Sequence, residues 1–212
     1  MDRLGELVAG MENPVLPFFE RVAPFEEVDA VLVKCDPMRS GDFRSYSVGV
    51  NYLWREDAIK KFGFSIPCSE VVEVITKGSP ILEVGAGSGY WSRLLRQAGA
   101  DVVCTDIGEG QHGNYQITVG EDVERISAQD AVRKYPERNV FVSWPSYSMQ
   151  WAFEMAKEIQ SGRTLFYIGE WHGCTADDQF RDLLSDEFTE AGTVRIPQWP
   201  AIHDRLFVMV KR

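Results

Sequence analysis

The stretch ILEVGAGSGYWSRLLRQAGADVVCTD, from Ile81 to Asp106, restricts the fold of this chain more than any other. Ile81, Leu82 and Val84 form a short apolar run that stops at Gly85-Ala86-Gly87-Ser88-Gly89, where the backbone is free to turn tightly and to approach a ligand. A helix is expected from Tyr90. Trp91, Leu94, Leu95 and Ala98 recur at the i, i+3, i+4, i+7 spacing of one buried face, and Gly99 stands where a C-terminal cap belongs. Val102, Val103 and Cys104 supply a second strand ending at Asp106. Strand, glycine turn, helix and strand make half of a doubly wound unit, which takes ligands at the carboxyl ends of its strands.

The pattern continues downstream. A third strand is expected within Val119 to Ile126, with Asp130 just beyond, and a fourth over Asn139 to Trp144, stopped by Pro145. Trp151, Ala152, Met155 and Ile159 give the next helix its apolar face, and Thr164 to Ile168 is a fifth strand. Thr175 or Asp177 then caps a helix carrying Phe180, Leu183 and Leu184. Two final strands, around Val194 to Ile196 and Leu206 to Val210, are joined too closely for a parallel crossover, so the last should run antiparallel. The fold class is therefore α/β, a doubly wound and mostly parallel sheet with helices on both faces.

Upstream, Pro14, Pro17, Pro24 and Pro37 cut residues 1–62 into short pieces, yet Phe18, Phe19, Val22, Phe25, Val28 and Leu32 are too apolar to lie loose in water. This segment is expected to form an N-terminal helical appendage packed on the core, with residues 63–212 as the main domain. A helical pattern from Tyr52 ends at Gly63, and Pro67 or Ser69 opens another helix that closes at Gly78. The turn between them, Phe64-Ser65-Ile66-Pro67-Cys68, can reach the ligand edge.

Composition excludes several classes. The 212 residues carry a net charge of -10, which repels nucleic acid over most of the surface. No apolar run is long enough to span a bilayer, and the acidic start MDRLGELVAGMENP is unlike a signal peptide, so a cytoplasmic location is expected. Cys35, Cys68, Cys104 and Cys174 are widely spaced and form no CxxC pair, which favours reduced thiols over a zinc site or disulfides.

Three nucleotide-handling chemistries compete for the glycine loop. A phosphate-binding P-loop needs Lys and then Ser or Thr after its glycines, where this chain has Tyr90 and Trp91. The dinucleotide fingerprint GxGxxG needs its third glycine where Tyr90 stands. The remaining pattern, ExGxGxG, is matched by Glu83, Gly85, Gly87 and Gly89, and it resembles that of class I S-adenosylmethionine-dependent methyltransferases. The ligand of that family presents an ammonium, a carboxylate and a sulfonium, so an acid beside backbone N–H groups is electrostatically sensible. Asp106, 23 residues beyond Glu83, is placed to accept both ribose hydroxyls.

The combination ILEVGAGSGYW, SWPSY, YIGEWHGCTADDQF and PQWPAIHDRLFV is similar to a methyltransferase-like family, over roughly residues 64–212. The resemblance implies a seven-stranded Rossmann-like sheet with its last strand reversed and S-adenosylmethionine as cofactor; it implies no substrate. The cofactor contacts that follow are Glu83, Gly85, Ala86, Gly87, Gly89, Tyr90, Asp106 and Ile107, with Asp130 for the adenine amino group and Trp144 after the fourth strand. Many amino-group methyltransferases carry Asn or Asp, two prolines and an aromatic residue where this chain has Trp144-Pro145-Ser146-Tyr147. With Trp in the polar place, methylation of adenine or glutamine nitrogen is disfavoured.

Parallel topology gathers the loops SWPSY, EWHGCT and QWPAIHD on one edge. His112, His172 and His203 all fall in edge loops, as do Trp144, Trp171 and Trp199. His172, His203 and Glu170 are the candidate catalytic bases, with Asp204 as an orienting partner for His203, and no metal is expected. The bland alternatives are a hairpin anchor at Trp199, a turn at His203-Asp204 and a buried thiol at Cys174. The functional reading is a methyltransferase for a small molecule. A cofactor-binding sensor or assembly protein without methyl transfer, and an NAD-dependent or nucleotide-sugar oxidoreductase, stay open as alternatives.

Overall fold

The structure is a computed structural model that describes residues 12–36, 48–108 and 118–212. Helices α1 (Leu16–Glu20), α2 (Phe25–Cys35), α3 (Val48–Phe62) and α4 (Ser69–Lys77) precede the first strand, β1 (Ile81–Val84). There follow α5 (Tyr90–Gln97), β2 (Val102–Asp106), β3 (Glu124–Arg125), α6 (Ala128–Lys134), β4 (Asn139–Ser143), α7 (Trp151–Lys157) and β5 (Thr164–Gly169). Helix α8 (Asp178–Glu187) leads into β6 (Phe188–Arg195), and β7 (Arg205–Lys211) is the last element.

The seven strands form one sheet in the order β3-β2-β1-β4-β5-β7-β6. Strands β1 to β5 are parallel, while β7 lies between β5 and β6 and is antiparallel to both. This is the mostly parallel seven-stranded sheet, with its last strand reversed, that the sequence leads one to expect.

Alternation along the central strands builds two cores. On one face lie Ile81, Phe141, Phe166, Ile168 and Leu206; on the other lie Leu82, Val84, Val140, Val142, Leu165, Tyr167, Phe207 and Met209. Successive side chains of a strand point to opposite faces, and burial of both explains why these strands read as continuous apolar runs. The first core is covered by helices α1 to α5 through residues such as Phe19, Leu32, Trp54, Ile75 and Leu95. The second is covered by α6 to α8 through Val132, Met155 and Phe180.

The N-terminal segment is tied to the core at several points. Phe19 stacks on Phe62 with ring centroids 4.9 Å apart, and its carbonyl accepts the Tyr90 hydroxyl at the start of α5. The Ser69 amide donates to the Ala23 carbonyl at 2.9 Å, and the Glu70 carboxylate accepts the Phe25 amide. The turn after α3 is equally anchored: Trp91 Nε1 donates to Ser65 Oγ at 3.1 Å, and Ser65 and Ser143 share a 2.8 Å hydrogen bond.

Two local expectations are corrected. Ala98 caps α5 and is exposed, so the buried face of that helix is Trp91, Ser92, Leu94 and Leu95. The third strand lies within the stretch expected for it, as the two residues Glu124–Arg125. Strand β6 begins at Phe188, well before Val194, because an edge strand with largely exposed side chains gives no apolar alternation to read.

Phe19 is 1% exposed and touches α3, α5 and the loop after β6 through its ring neighbours. Phe19→Ala should cost about 3 kcal/mol in urea unfolding, as for other large buried rings; a loss below about 1 kcal/mol would show that α1 adds little to the core.

Candidate functional site

The glycine loop begins where β1 ends. Gly85, Gly87 and Gly89 take φ of +71°, +53° and +72°, a region that side-chain-bearing residues rarely enter. Three residues of that kind turn the chain between β1 and α5, and the loop is held from within: the Ala86 amide donates to the Thr105 carbonyl at 3.0 Å and the Gly89 amide to the Ala86 carbonyl at 2.9 Å. A Cβ at Gly85 would lie only 3.3 Å from the Trp151 ring, so the glycine also lets α7 close over the loop.

Asp106 joins this loop to the end of β2. Its Oδ2 accepts the Gly87 amide at 2.9 Å and its Oδ1 accepts the Gly108 amide at 2.8 Å. Each oxygen keeps a further lone pair for a ligand donor. Glu83 is 2% exposed and accepts the Ser92 hydroxyl from α5. Burial pushes its carboxyl up to about 7, against the opposing effects of the Ser92 hydrogen bond and the Arg96 charge.

Gly85 and Asp106 border a cavity of about 840 Å3 at the carboxyl edge of the sheet. One end is lined by Gly85, Asp106, Ile107, Ile126, Ser127, Ala128 and Gln129, from the ends of β1, β2 and β3. The other is lined by Arg55, Phe64, Trp144 to Tyr147, Met149, Cys174 and Ile202. A niche of about 40 Å3 shares Phe64, Gly85 and Trp144 with it, and also meets Glu83, Ala86, Gly87, Tyr90 and Ser143. Both volumes together are in the range of small-molecule sites.

Trp144 sits where the two spaces meet, 7% exposed and at φ +53°, an unusual conformation for a bulky residue. Its amide donates to the Ile168 carbonyl at 2.8 Å and its Nε1 to Asp204 Oδ2 at 2.8 Å. Phe64 stacks on it at 5.3 Å, and the Arg55 guanidinium lies 5.5 Å from its ring centroid. Asp204 is 1% exposed, and its Oδ1 has no hydrogen-bond partner among the described residues. Burial, reinforced by the nearby Glu170 charge, lifts its carboxyl to about 7, although the Trp144 hydrogen bond and Arg55 oppose this.

Of the expected cofactor contacts, Glu83, Gly85, Ala86, Gly87, Tyr90, Asp106, Ile107 and Trp144 line the cavity or its niche, and Gly89 completes the loop. Asp130 does not. It lies in the first turn of α6, where Ser127 Oγ donates to its Oδ2 at 2.7 Å and Arg133 stands 3.5 Å away. A two-residue β3 brings Ser127, Ala128 and Gln129 to the cavity in its place.

The candidate bases are also displaced. His172 and His203 are exposed and absent from the lining, and His112 lies outside the described residues. Glu170 is buried as a brace: Oε2 accepts the Cys174 amide and Oε1 the His203 amide, each at 2.8 Å, which clamps the loop after β5 to the loop before β7. Asp204 turns inward to Trp144, not outward to His203. Trp171 packs on Phe207 at 5.0 Å and Trp199 near Phe19 at 6.4 Å, so neither is a cavity wall. Cys174 is exposed, and no group of three potential metal ligands occurs among the described residues.

Sequence reading missed Arg55 and Trp151. Trp151 is legible only as part of an apolar helix face, and Arg55 carries no local signal, since α3 reaches the cavity through tertiary packing alone.

No protein-family model matches the chain, and no curated protein matches it. Among solved structures it is similar to a Streptococcus mutans protein assigned as a SAM-dependent methyltransferase, at 10% identity and TM-score 0.43, covering 66% of this chain and 48% of that one. The chain therefore spans about half the length of that protein. It is also similar to magnesium protoporphyrin IX methyltransferase (ChlM) from Synechocystis PCC 6803, at 16% identity and TM-score 0.41, covering 76% of this chain and 97% of that one. A third is the N-methyltransferase NodS from Bradyrhizobium japonicum WM9, at 13% identity and TM-score 0.40, with 68% and 93% covered. At these identities no residue role is carried across; the fold rests on the strand order itself.

Raised carboxyls make stability depend on pH. The folded chain keeps the Glu83 proton between the ordinary 4.5 and about 7, where an unfolded chain has released it. That contribution is full below about pH 4.5 and is lost as pH rises through about 7. Glu83→Gln should therefore lessen the drop in urea midpoint between about pH 5 and pH 8. Asp204→Asn should lessen it further, and a drop unchanged in both variants would contradict the raised values.

Proposed function

We propose that the chain is an S-adenosylmethionine-dependent methyltransferase acting on a small molecule, with residues 63–212 as the catalytic domain, residues 1–62 as an appendage to it, and the cytoplasm as its place of action. The observation that carries this reading is the Asp106 carboxylate, bonded to the Gly87 amide and facing a cavity, at the carboxyl ends of two adjacent parallel strands.

The residues present fit such a cofactor. Asp106 has acceptor capacity left for two ribose hydroxyls, and Ile107, Ile126 and Ala128 offer an apolar slot for a base. Glu83 and Ser143 line the niche as polar partners for an amino-acid tail. A dinucleotide is less well served. Tyr90, in the third glycine's place, is 4% exposed with its hydroxyl bound to the Phe19 carbonyl, so it stays between α5 and the strand and denies the close helix–strand packing that the dinucleotide fingerprint requires.

S-adenosylmethionine, when bound, supplies a methyl group on a sulfonium whose leaving group is a neutral thioether. The chain has to align the acceptor, take its proton where it has one, and exclude water. No histidine lines the described cavity, and its outer half is mostly apolar. Alignment and water exclusion by Phe64, Trp144 and Tyr147 are accordingly the main contributions of that half. Such a site suits an acceptor that is already nucleophilic or readily deprotonated.

Calorimetric titration should show binding of S-adenosylhomocysteine and none of NAD; the reverse pattern would defeat the proposal. Asp106→Ala should weaken S-adenosylhomocysteine by at least about 1 kcal/mol, through lost charge-assisted hydrogen bonds, while the protein stays folded. Unchanged affinity would remove Asp106 from the site. Transfer of labelled methyl into a small-molecule fraction then separates an enzyme from a binding protein.

A further inference from the structure

The two ends of the cavity differ in charge. Both acids in its lining are engaged: Asp106 takes two backbone amides, and Glu154 accepts from Gln129 at 3.2 Å and Lys157 at 3.3 Å. The single basic residue in the described lining, Arg55, is not. Its guanidinium rests on the Trp144 ring, and its Nε is buried with no hydrogen-bond partner among the described residues.

A buried guanidinium N–H left without an acceptor is costly, and contact with an indole face offsets that cost without satisfying the donor. Asp204 is an acid close enough to feel its charge, but no hydrogen bond joins the two: its Oδ2 accepts Trp144 Nε1, its Oδ1 has no partner among the described residues, and burial lifts its carboxyl to about 7. Arg55 thus keeps unspent donors in a chain whose net charge is -10, where surplus anions are plentiful elsewhere. The surroundings are flat and apolar. Phe64 and Trp144 lie within 12° of parallel, and Tyr147 and Met149, 63% and 55% exposed, stand open at the mouth.

We infer that the acceptor half of the cavity takes a small planar aromatic molecule carrying a carboxylate or similar anion, with the anion on Arg55 and the ring among Phe64, Trp144, Tyr147 and Ile202. The inference rests on the methyltransferase reading for its biological sense, and on the Arg55 geometry for its chemistry. A planar fork of donors matches a carboxylate, and it is already oriented by the Trp144 ring.

Three probes of one shape test it: hydroxybenzoate, the neutral hydroxybenzyl alcohol and the cation tyramine, titrated with and without saturating S-adenosylhomocysteine. Hydroxybenzoate should bind at least about tenfold more tightly than either of the others, a modest return for one charge-assisted pair. Arg55→Gln should abolish that preference and Arg55→Lys should keep part of it, both with unchanged S-adenosylhomocysteine affinity as proof of folding. Equal binding of the three, preference for tyramine, no binding of hydroxybenzoate, or a preference that survives in Arg55→Gln would each overturn the inference. Failure of S-adenosylhomocysteine to bind the unaltered protein would instead strike the methyltransferase reading, and the ranking without it would still decide the role of Arg55.

Discussion

Burial of the central strands on both faces is the constraint from which the rest of this structure follows. Ile81 and Phe141 serve one core while Leu82, Val84, Val140 and Val142 serve the other. A strand in that position has no exposed side on which to carry polar groups. Polar chemistry is thereby driven to the strand ends, and Glu83, Thr105 and Asp106 stand at the carboxyl edge with their hydrogen bonds met by the loop and helix beside them. Glycine at three positive-φ positions lets the chain leave β1 without crowding that edge. Cavity, loop and acid are consequences of one layered arrangement.

Much of this was legible in the residues. Short apolar runs, the glycine turn and the Asp177 cap gave the strand and helix order, and the brief connection before Leu206 gave the reversed last strand. Where reading failed, the cause was physical. Strand β6 is an edge with polar residues on its open side, so apolar period two is absent from its first half. The shortness of β3 turned on a pairing of just Thr105 with Glu124 and Asp106 with Arg125, which no local preference announces. Asp130 has the acid's chemistry at nearly the right distance along the chain, but a Ser127 cap captures it.

The site is harder to read than the fold, because topology brings loops to an edge without saying which side chains turn inward. His172, His203, Trp171 and Trp199 all reach the right edge and none lines the cavity. Glu170 lies there too, used as a clamp between loops. Residues with no distinguishing sequence context, Arg55 on α3 and Trp151 on α7, line it instead. Trp144 links the two halves: strained in its backbone, bonded through its indole to a buried acid, it borders both the niche and the larger space.

The insertion of β7 between β5 and β6 also has a kinetic side. Strand β5 is rich in buried aromatic and aliphatic residues, and the whole of one edge, from Thr164 to Gly169, pairs only with Arg205 to Val210. Strand β6 is made earlier than β7, yet among the described residues it pairs with no strand other than β7. During synthesis the β5 edge therefore stays open while α8, β6 and the following loop emerge, and an open apolar edge is the template on which chains associate. Sheet closure is a late, long-range event in this topology, and nascent chains are most exposed to misassembly, and most in need of a chaperone, in that interval.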